Sequence, residues 1–576
     1  MTVAGAEAGA DERASRRRAL VGLAAIVAVA AVLRWPGLFG GPGYGSRDEL
    51  MYVPKAIRYG GGDLNPHYFQ NPPLASYLMF CAQGVLYAAG RIAGTFASPL
   101  DFKAQYFADA TNAFVASRCV SFVLGLGAVA ATFVLARRLV PATLSARRRD
   151  AAGALAAGLL ALSPLHTERS ATATNESLVV LVYTLTTIAS LSLLRRGTVR
   201  AACIAGLLSG IAAGSKYTGG VICAAVGYAA LLVADATHRD RLKLLAVAAA
   251  SSIAGFVLVC PWILLDRATF VSHLANLGES RDRMPDVPFL DALVRSEMTY
   301  LRTLWSDGLG PVGAVVAAIG VGAAALGAFA ALRGGGGVPG EDVQRVQERR
   351  ATLVVLAAIL PLACVLVYHT RMAVGRYLMP AYPALLALGA AAIVAAPGSV
   401  GTWLRRAAAA GAVAWAAVVV SDMPARVGFA RAEDTQARLA AWMHGHVPDG
   451  AIVICDWYAP RLPPIDARRE FEGRVPAATL ERLRPSYRVV TAFDYFALPI
   501  NSVDGVPVDD FPRLAALGDV YVIASASGPA VYDALPPGDY PGRAWYRAVA
   551  ERLPIVREES PGPGVRGPVL RLHRVQ

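Results

Sequence analysis

The 576-residue sequence is short of charge: only 17% of its residues are Asp, Glu, Lys or Arg, against 55% hydrophobic, at a mean hydropathy of +0.44. So apolar a composition over such a length excludes an ordinary soluble protein and leaves a polytopic membrane protein. Cysteine is scarce as well. There are seven, with no CxxC pair, and six of them (Cys81, Cys119, Cys203, Cys223, Cys260, Cys364) lie in or beside apolar stretches, which argues against a disulfide framework or a zinc site. No glycine-rich phosphate loop follows a strand in the apolar region, so a nucleotide ligand is disfavoured there. No internal repeat is visible.

What is present in excess is positive charge, +13 net. The arginines do not form a nucleic-acid-binding run. They stand in short clusters between apolar segments, where the positive-inside rule puts them, so the basicity is read as topology and no nucleic-acid partner is expected. About 20 apolar residues cross a bilayer as a helix. Eleven windows meet that description: 19–35, 114–136, 151–165, 177–194, 199–214, 218–234, 244–265, 308–332, 351–368, 376–396 and 404–421. A further apolar stretch, 74–93, is read as an interfacial helix. The run after Arg16, Arg17 and Arg18 also resembles the start of a signal peptide, but it continues past Arg34 to Trp35 and is taken as a retained span.

Charge tests this count independently of hydropathy. With residues 1–18 as a cytoplasmic basic N-terminus, the inside connections hold Arg137, Arg138 and Arg147 to Arg149; Arg195, Arg196 and Arg200; Arg239, Arg241 and Lys243; Arg333, Arg345, Arg349 and Arg350; and Arg405 with Arg406. The short outside connections carry far less, namely Arg169, Lys216, and Arg371 with Arg376. The spanning domain is therefore placed at 19–422, with 36–113 as a first extracytoplasmic loop, and 423–576 becomes an extracytoplasmic soluble domain. In that tail "DTQARLAAWMHGHVPDG" reads as an amphipathic helix, and "AIVICDW", "YRVVTAF" and "DVYVIASA" as strands of a small α/β domain. The glycine-rich "RGGGGVPGEDVQRVQERR" reads as a flexible inside loop.

Ionisable residues gather on the outside face. Asp48 and Glu49 stand where the chain leaves the first span, before a loop with Asp63, Asn65, His67, Tyr68, Phe69, Asn71 and a Pro-Pro-Leu. A solvated helix N-terminus capped by Ser46 would explain the acidic pair alone, but loops of this length usually carry function. "SPLHTERSATATNESL" puts Glu176 at the start of the fourth span, where helix capping is an equal explanation. "GSKYTGG" places Lys216 between two short spans, and "HTRMAVGRYLMPAYP" brings His369, Arg371, Arg376 and Tyr377 to the same face. A lone lysine there could simply snorkel.

The order of these motifs resembles the integral-membrane glycosyltransferases of family 39, of the protein O-mannosyltransferase and aminoarabinose transferase type. They have the C-type glycosyltransferase fold, and the resemblance covers roughly residues 20–420. It implies a mainly α, polytopic enzyme that moves a sugar from a polyprenyl-phosphate carrier to an extracytoplasmic acceptor of unidentified class. Asp48 would be the catalytic carboxylate and Glu49 its neighbour in the motif. Asn71 stands where some relatives have a basic residue, and Glu176 where Asp is frequent. Chemistry agrees with this outline: one carboxylate takes the acceptor proton, and cations stabilise the departing phosphate. Lys216, Arg376 and Tyr377 are the candidate donor-phosphate group; Glu176, His67, Tyr68 and Asn71 are candidate substrate contacts. A divalent cation is possible, with no ligand set assigned. The expected location is the plasma (inner) membrane, active site outside. The competing reading is a transporter or flippase, which would put charged or broken helices near mid-membrane.

Overall fold

The computed structural model describes residues 3–40, 48–234, 236–282, 289–333, 343–368, 374–456, 458–492, 508–529 and 541–575. From the N-terminus, the helices are α1 (Val3–Leu38), α2 (Glu49–Tyr59), α3 (Leu74–Ile92), α4 (Pro99–Ala108), α5 (Thr111–Leu139), α6 (Ala146–Ala161), α7 (Pro164–Ser170), α8 (Glu176–Arg196), α9 (Val199–Ser215), α10 (Cys223–Leu231) and α11 (His238–Val259). Then come α12 (Trp262–Leu265), α13 (Arg267–Asp282), α14 (Phe289–Thr303), α15 (Gly310–Arg333), α16 (Val343–Tyr368), α17 (Tyr382–Ala395) and α18 (Gly398–Ser421). Each of the eleven expected windows falls on a helix. Seven helices are long and apolar enough to cross a membrane by length and composition, which makes this an integral membrane protein. The other four windows fall on α6, on α9, on α10 with the 3-10 turn before it, and on α16; the first three are shorter, and α16 starts in a charged stretch. Of the glycine-rich loop, 334–342 lie outside the described residues, and from Val343 onward the chain is helical.

Small residues set how closely these helices pack. Along α9, a Cβ on Gly206 or Gly210 would collide with the carbonyl oxygens of Ala248 and Ser252 on α11, so the two backbones approach as only glycine allows. The centre of the bundle is α8 and α17, whose apolar side chains are buried almost all round, while α1, α11 and α18 present wide apolar faces outward.

The tail folds as α19 (Met423–Arg431), α20 (Thr435–His446), α21 (Ile465–Phe471) and α22 (Ala477–Glu481) with a five-stranded sheet. In chain order the strands are β1 (Glu433–Asp434), β2 (Ile452–Cys455), β3 (Arg488–Thr491), β4 (Val520–Ser525), β5 (Ile555–Glu559), β6 (Val565–Arg566) and β7 (Leu570–Arg574). The sheet runs β3-β2-β4-β7-β5, the first three parallel and the last two antiparallel. The central strands β2 and β4 are buried at every position, as strands covered on both faces must be, which is why they read as unbroken apolar runs. The tail rests on α4 of the first loop. Thr479 donates to Asp101 at 2.6 Å, Lys103 pairs with Glu470 at 2.7 Å, and Arg461 donates to Tyr106 at 2.8 Å.

The first loop is pinned rather than slack. Asn65 donates to Asp266 at 2.8 Å, the Phe69 N–H donates to His273 at 3.1 Å, and Tyr217 donates to the Phe69 carbonyl at 2.6 Å. The buried Phe69 ring packs edge-on against Phe270.

Candidate functional site at the loop-facing end of the bundle

Four segments far apart in sequence bring charge to one place. Asp48 opens α2, Glu176 opens α8, Lys216 ends α9, and Arg376 sits in the 3-10 turn Gly375–Ala381 that leads into α17. Arg376 Nη2 lies 3.0 Å from Asp48 Oδ2, and its Nε lies 3.3 Å from Glu176 Oε1. Lys216 Nζ is 3.6 Å from the same Glu176 oxygen. Tyr377 floors the group, its ring centroid 4.4 Å from Lys216 Nζ and 5.7 Å from the Arg376 guanidinium. The burial is graded: Glu176 is 4% exposed, Lys216 15%, Arg376 25% and Asp48 29%, so the cluster opens toward Asp48.

Glu49 faces the other way. Its carboxylate is wholly buried and receives both Nε and Nη2 of Arg118 at 2.7 Å, a bidentate fork–fork pair. The Ala173 N–H also donates to it, at 2.8 Å. Arg118 is held in turn by the Leu38 carbonyl at 3.2 Å and by the Gly40 carbonyl. One sealed ion pair thus ties together the end of α1, the start of α2, the first turns of α5 and the segment leading to Glu176. Its two anchor points, Glu49 and Ala173, are the chain neighbours of Asp48 and near neighbours of Glu176.

The remaining expected residues are spread out. His67, at φ +47°, turns its ring to Asp63 at 2.6 Å on the exposed side of the loop. Tyr68 lies 4.5 Å beneath the Lys55 ammonium and bonds Gln70 at 2.8 Å, and Asn71 is half-buried in the loop. Ser46, His369 and Arg371 lie outside the described residues. Among the described residues, no group of three or more His, Cys, Asp or Glu side chains could hold a metal ion. His166, in the segment before Glu176, is buried against Arg34 at 2.8 Å.

Two side chains join the site that motif reading did not assign to it. Tyr52 follows Asp48 by one helical turn and is buried. Burial and the nearby Glu176 and Asp48 carboxylates raise its phenol well above the ordinary value, so it stays a hydrogen-bond donor. Arg169 lies close enough to Glu176 to act on its charge, and among the described residues its buried Nε and Nη1 have no hydrogen-bond partner. The spacing Asp48, Tyr52, Lys55 (i, i+4, i+7) was the available signal for a shared helical face. Lys55 is half-buried, and desolvation together with Arg58 lowers its ammonium to about 7.

Comparison with known proteins bears on this arrangement. The model of the dolichyl-phosphate-mannose-protein mannosyltransferase family matches residues 108–264, which hold Arg118, Glu176 and Lys216 but neither Asp48 nor Arg376. Among solved structures, the oligosaccharyltransferase of Archaeoglobus fulgidus in the apo form superposes with a TM-score of 0.51 at 12% identity, covering 89% of this chain and 70% of its own. ArnT from Cupriavidus metallidurans bound to undecaprenyl phosphate gives a TM-score of 0.49 at 14% identity, covering 96% and 97%. No curated protein sequence matches the chain. The shared architecture is that of the C-type glycosyltransferases. The family match and the shared fold are both with membrane glycosyltransferases.

Proposed function

We propose that the protein transfers a sugar from a polyprenyl-phosphate carrier to an acceptor on the extracytoplasmic side, with Asp48 as the catalytic base. The observation that carries this reading is the convergence of Asp48, Glu176, Lys216 and Arg376 from four chain segments onto one half-open site. The matched family takes its donor sugar from dolichyl phosphate, which supports the lipid-linked donor.

The step balances on this chain's own groups. The acceptor hydroxyl gives its proton to the Asp48 carboxylate as its oxygen bonds to the anomeric carbon. The bond from that carbon to the phosphate oxygen breaks, and the electron pair leaves on the phosphate. Arg376 and Lys216 receive this charge, exchanging part of their pairing with Asp48 and Glu176 for the phosphate oxygens. Glu176, nearly buried, keeps both cations in place before donor arrives. Tyr52 supplies a neutral donor beside the base. Glu49 is a positioning residue: it acts through Arg118 and Ala173 to hold Asp48 and Glu176 in register. Roles for His67, Tyr68 and Asn71 are limited to shaping the loop beside the site.

Purified protein supplied with labelled polyprenyl-phosphate sugars and with membranes as acceptor tests the activity. Transfer of label with release of the polyprenyl phosphate is expected. Movement of the intact lipid-linked sugar across a bilayer without transfer would instead make the protein a flippase. For sidedness, in a cysteine-free background, His67→Cys and Ser560→Cys should react with an impermeant thiol reagent in intact cells and Ser145→Cys should not; the reverse pattern would invert the topology.

A further inference from the structure

The opposite end of the bundle carries a cavity that the transfer reaction does not use. Helix α8 runs from Glu176 in the site to Arg195, some 30 Å away at 1.5 Å per residue, the thickness of a bilayer core. There a half-open cavity of about 660 Å³ is lined by Arg137, Arg138, Arg149 and Arg195. Two carboxylates offset them incompletely. Asp150 pairs with Arg137 at 2.7 Å, and Glu348 takes a hydrogen bond from Gln344 at 3.1 Å. Arg138 and Arg195 spend part of their donors on the frame, on Ser192 and on the Arg138 carbonyl. Arg149 is different: among the described residues its buried Nε has no hydrogen-bond partner, and unlike Arg137 it has no carboxylate paired with it.

A second cavity of about 660 Å³ adjoins the first and shares Leu139, Pro141 and Glu348 with it. Its α15–α17 wall is apolar and small, with Gly320, Ala324 and Gly327 on α15 facing Leu388 and Ala392 on α17, while α16 closes the other side with Arg345, Glu348, Arg349 and Thr352 at the charged end and Leu353 beyond them. A cationic chamber opening into an apolar cleft between spanning helices matches an amphiphile with an anionic head, not a free phosphate compound. A soluble anion would leave the cleft unused, and a neutral lipid would leave the arginines uncompensated.

We propose that this end of the bundle binds one anionic phospholipid, its phosphodiester among the four arginines and an acyl chain along the α15–α17 cleft. The site is separate from the proposed transfer site, lies in the other leaflet, and holds whether or not the transfer chemistry is right. It would couple to the outer site through α8 and α17, which carry Glu176 at the far end of one and follow directly on Arg376 in the other, and through α5, which carries Arg118 near one end and Arg137 and Arg138 at the other.

The test uses the full-length protein in neutral detergent, with phosphatidylglycerol, phosphatidylcholine and glycerol 3-phosphate as probes and native mass spectrometry with melting curves as readouts. Phosphatidylglycerol should be retained in preference to phosphatidylcholine and should raise the melting temperature; glycerol 3-phosphate at equal concentration should do neither. Arg149→Glu should weaken phosphatidylglycerol retention about tenfold or more, as expected for a lost charge-assisted phosphate contact, while Arg149→Lys keeps most of it. Arg239→Glu, the same charge change at an exposed position outside the cavity, should leave it unchanged. Gly327→Leu should also weaken retention, because a side chain built there meets nothing within 4 Å and would project into the cleft. Equal loss in Arg149→Glu and Arg239→Glu would reduce the effect to general surface charge. Retention undisturbed by Gly327→Leu, or competition by glycerol 3-phosphate, would overturn a lipid occupant.

Discussion

Asp48 and Glu49 are adjacent in the chain and sit in opposite surroundings. Glu49 is sealed, with its charge matched atom for atom by Arg118 and by one backbone N–H. Asp48 keeps 29% of its side chain exposed and shares Arg376 with Glu176. The sealed region cannot exchange partners without exposing an uncompensated charge, which suits it to holding geometry. The open region has unequal, partly solvated pairs at 3.0 to 3.6 Å, which suits it to trading a protein carboxylate for a substrate phosphate. Placing the lock one residue from Asp48 fixes that carboxylate, the proposed base, without occupying it.

Breaking the sealed side should have the largest effect on the fold. Glu49→Gln leaves the Arg118 guanidinium buried and half-paired, a change that typically costs about 3–5 kcal/mol, so yield and melting temperature should drop sharply. Replacing both partners by apolar residues should restore much of the stability while leaving transfer impaired, because the packing returns but the tie to Ala173 does not. A Glu49→Gln protein as stable as the wild type would show that the lock carries no weight.

Next in size are the cations of the open side. Arg376→Ala should weaken use of the lipid-linked donor by about 10- to 100-fold with little change in melting temperature, since it removes charge-assisted contacts from a quarter-exposed side chain. Lys216→Ala should cost somewhat less, about tenfold, because its ammonium offers no fork geometry. Steady-state rates against donor concentration check both, and unchanged donor dependence in the pair would leave these residues as mere membrane-end anchors.

The smallest effect sharpens the comparison at Lys55, on the same α2 face as Asp48. Its folded ammonium is lowered to about 7 by desolvation and Arg58, below the unfolded value. The charged form is therefore penalised in the folded state at low pH, and stability should rise as pH climbs from about 7 toward the unfolded value. Lys55→Met should raise the melting temperature by about a degree at pH 6 and by less at pH 9. Melting curves at the two pH values check it; a difference that grows with pH would reverse the sign.

Much of the open cluster was legible in the sequence because Glu176, Lys216 and Arg376 stand at the ends of apolar windows and Asp48 in the polar loop after the first, so that the expected sidedness grouped them. The lock was not legible in the same way. Arg118 lies 69 residues after Glu49 and inside a window read as a plain span, so only its presence as a charge within an apolar helix marked it. Arg34, buried in α1 against His166, is a second such charge. In the tail, β2, β3 and β4 followed from apolar runs, whereas β5 and β7 are antiparallel neighbours with Arg557, Glu558, Arg571 and Arg574 along them, a pattern that reads as polar loop. The mixed sheet needed the structure.

The central claim is that Asp48, and not its sealed neighbour, does the chemistry. Transfer of labelled sugar by the purified Asp48→Asn protein tests it most directly, with melting temperature measured on the same preparation. Folding should stay near wild type, because Asp48 is partly solvated, while the transfer rate should fall by about 10²–10⁴-fold, the usual cost of losing a positioned base. Near wild-type transfer in a folded Asp48→Asn protein would contradict the account.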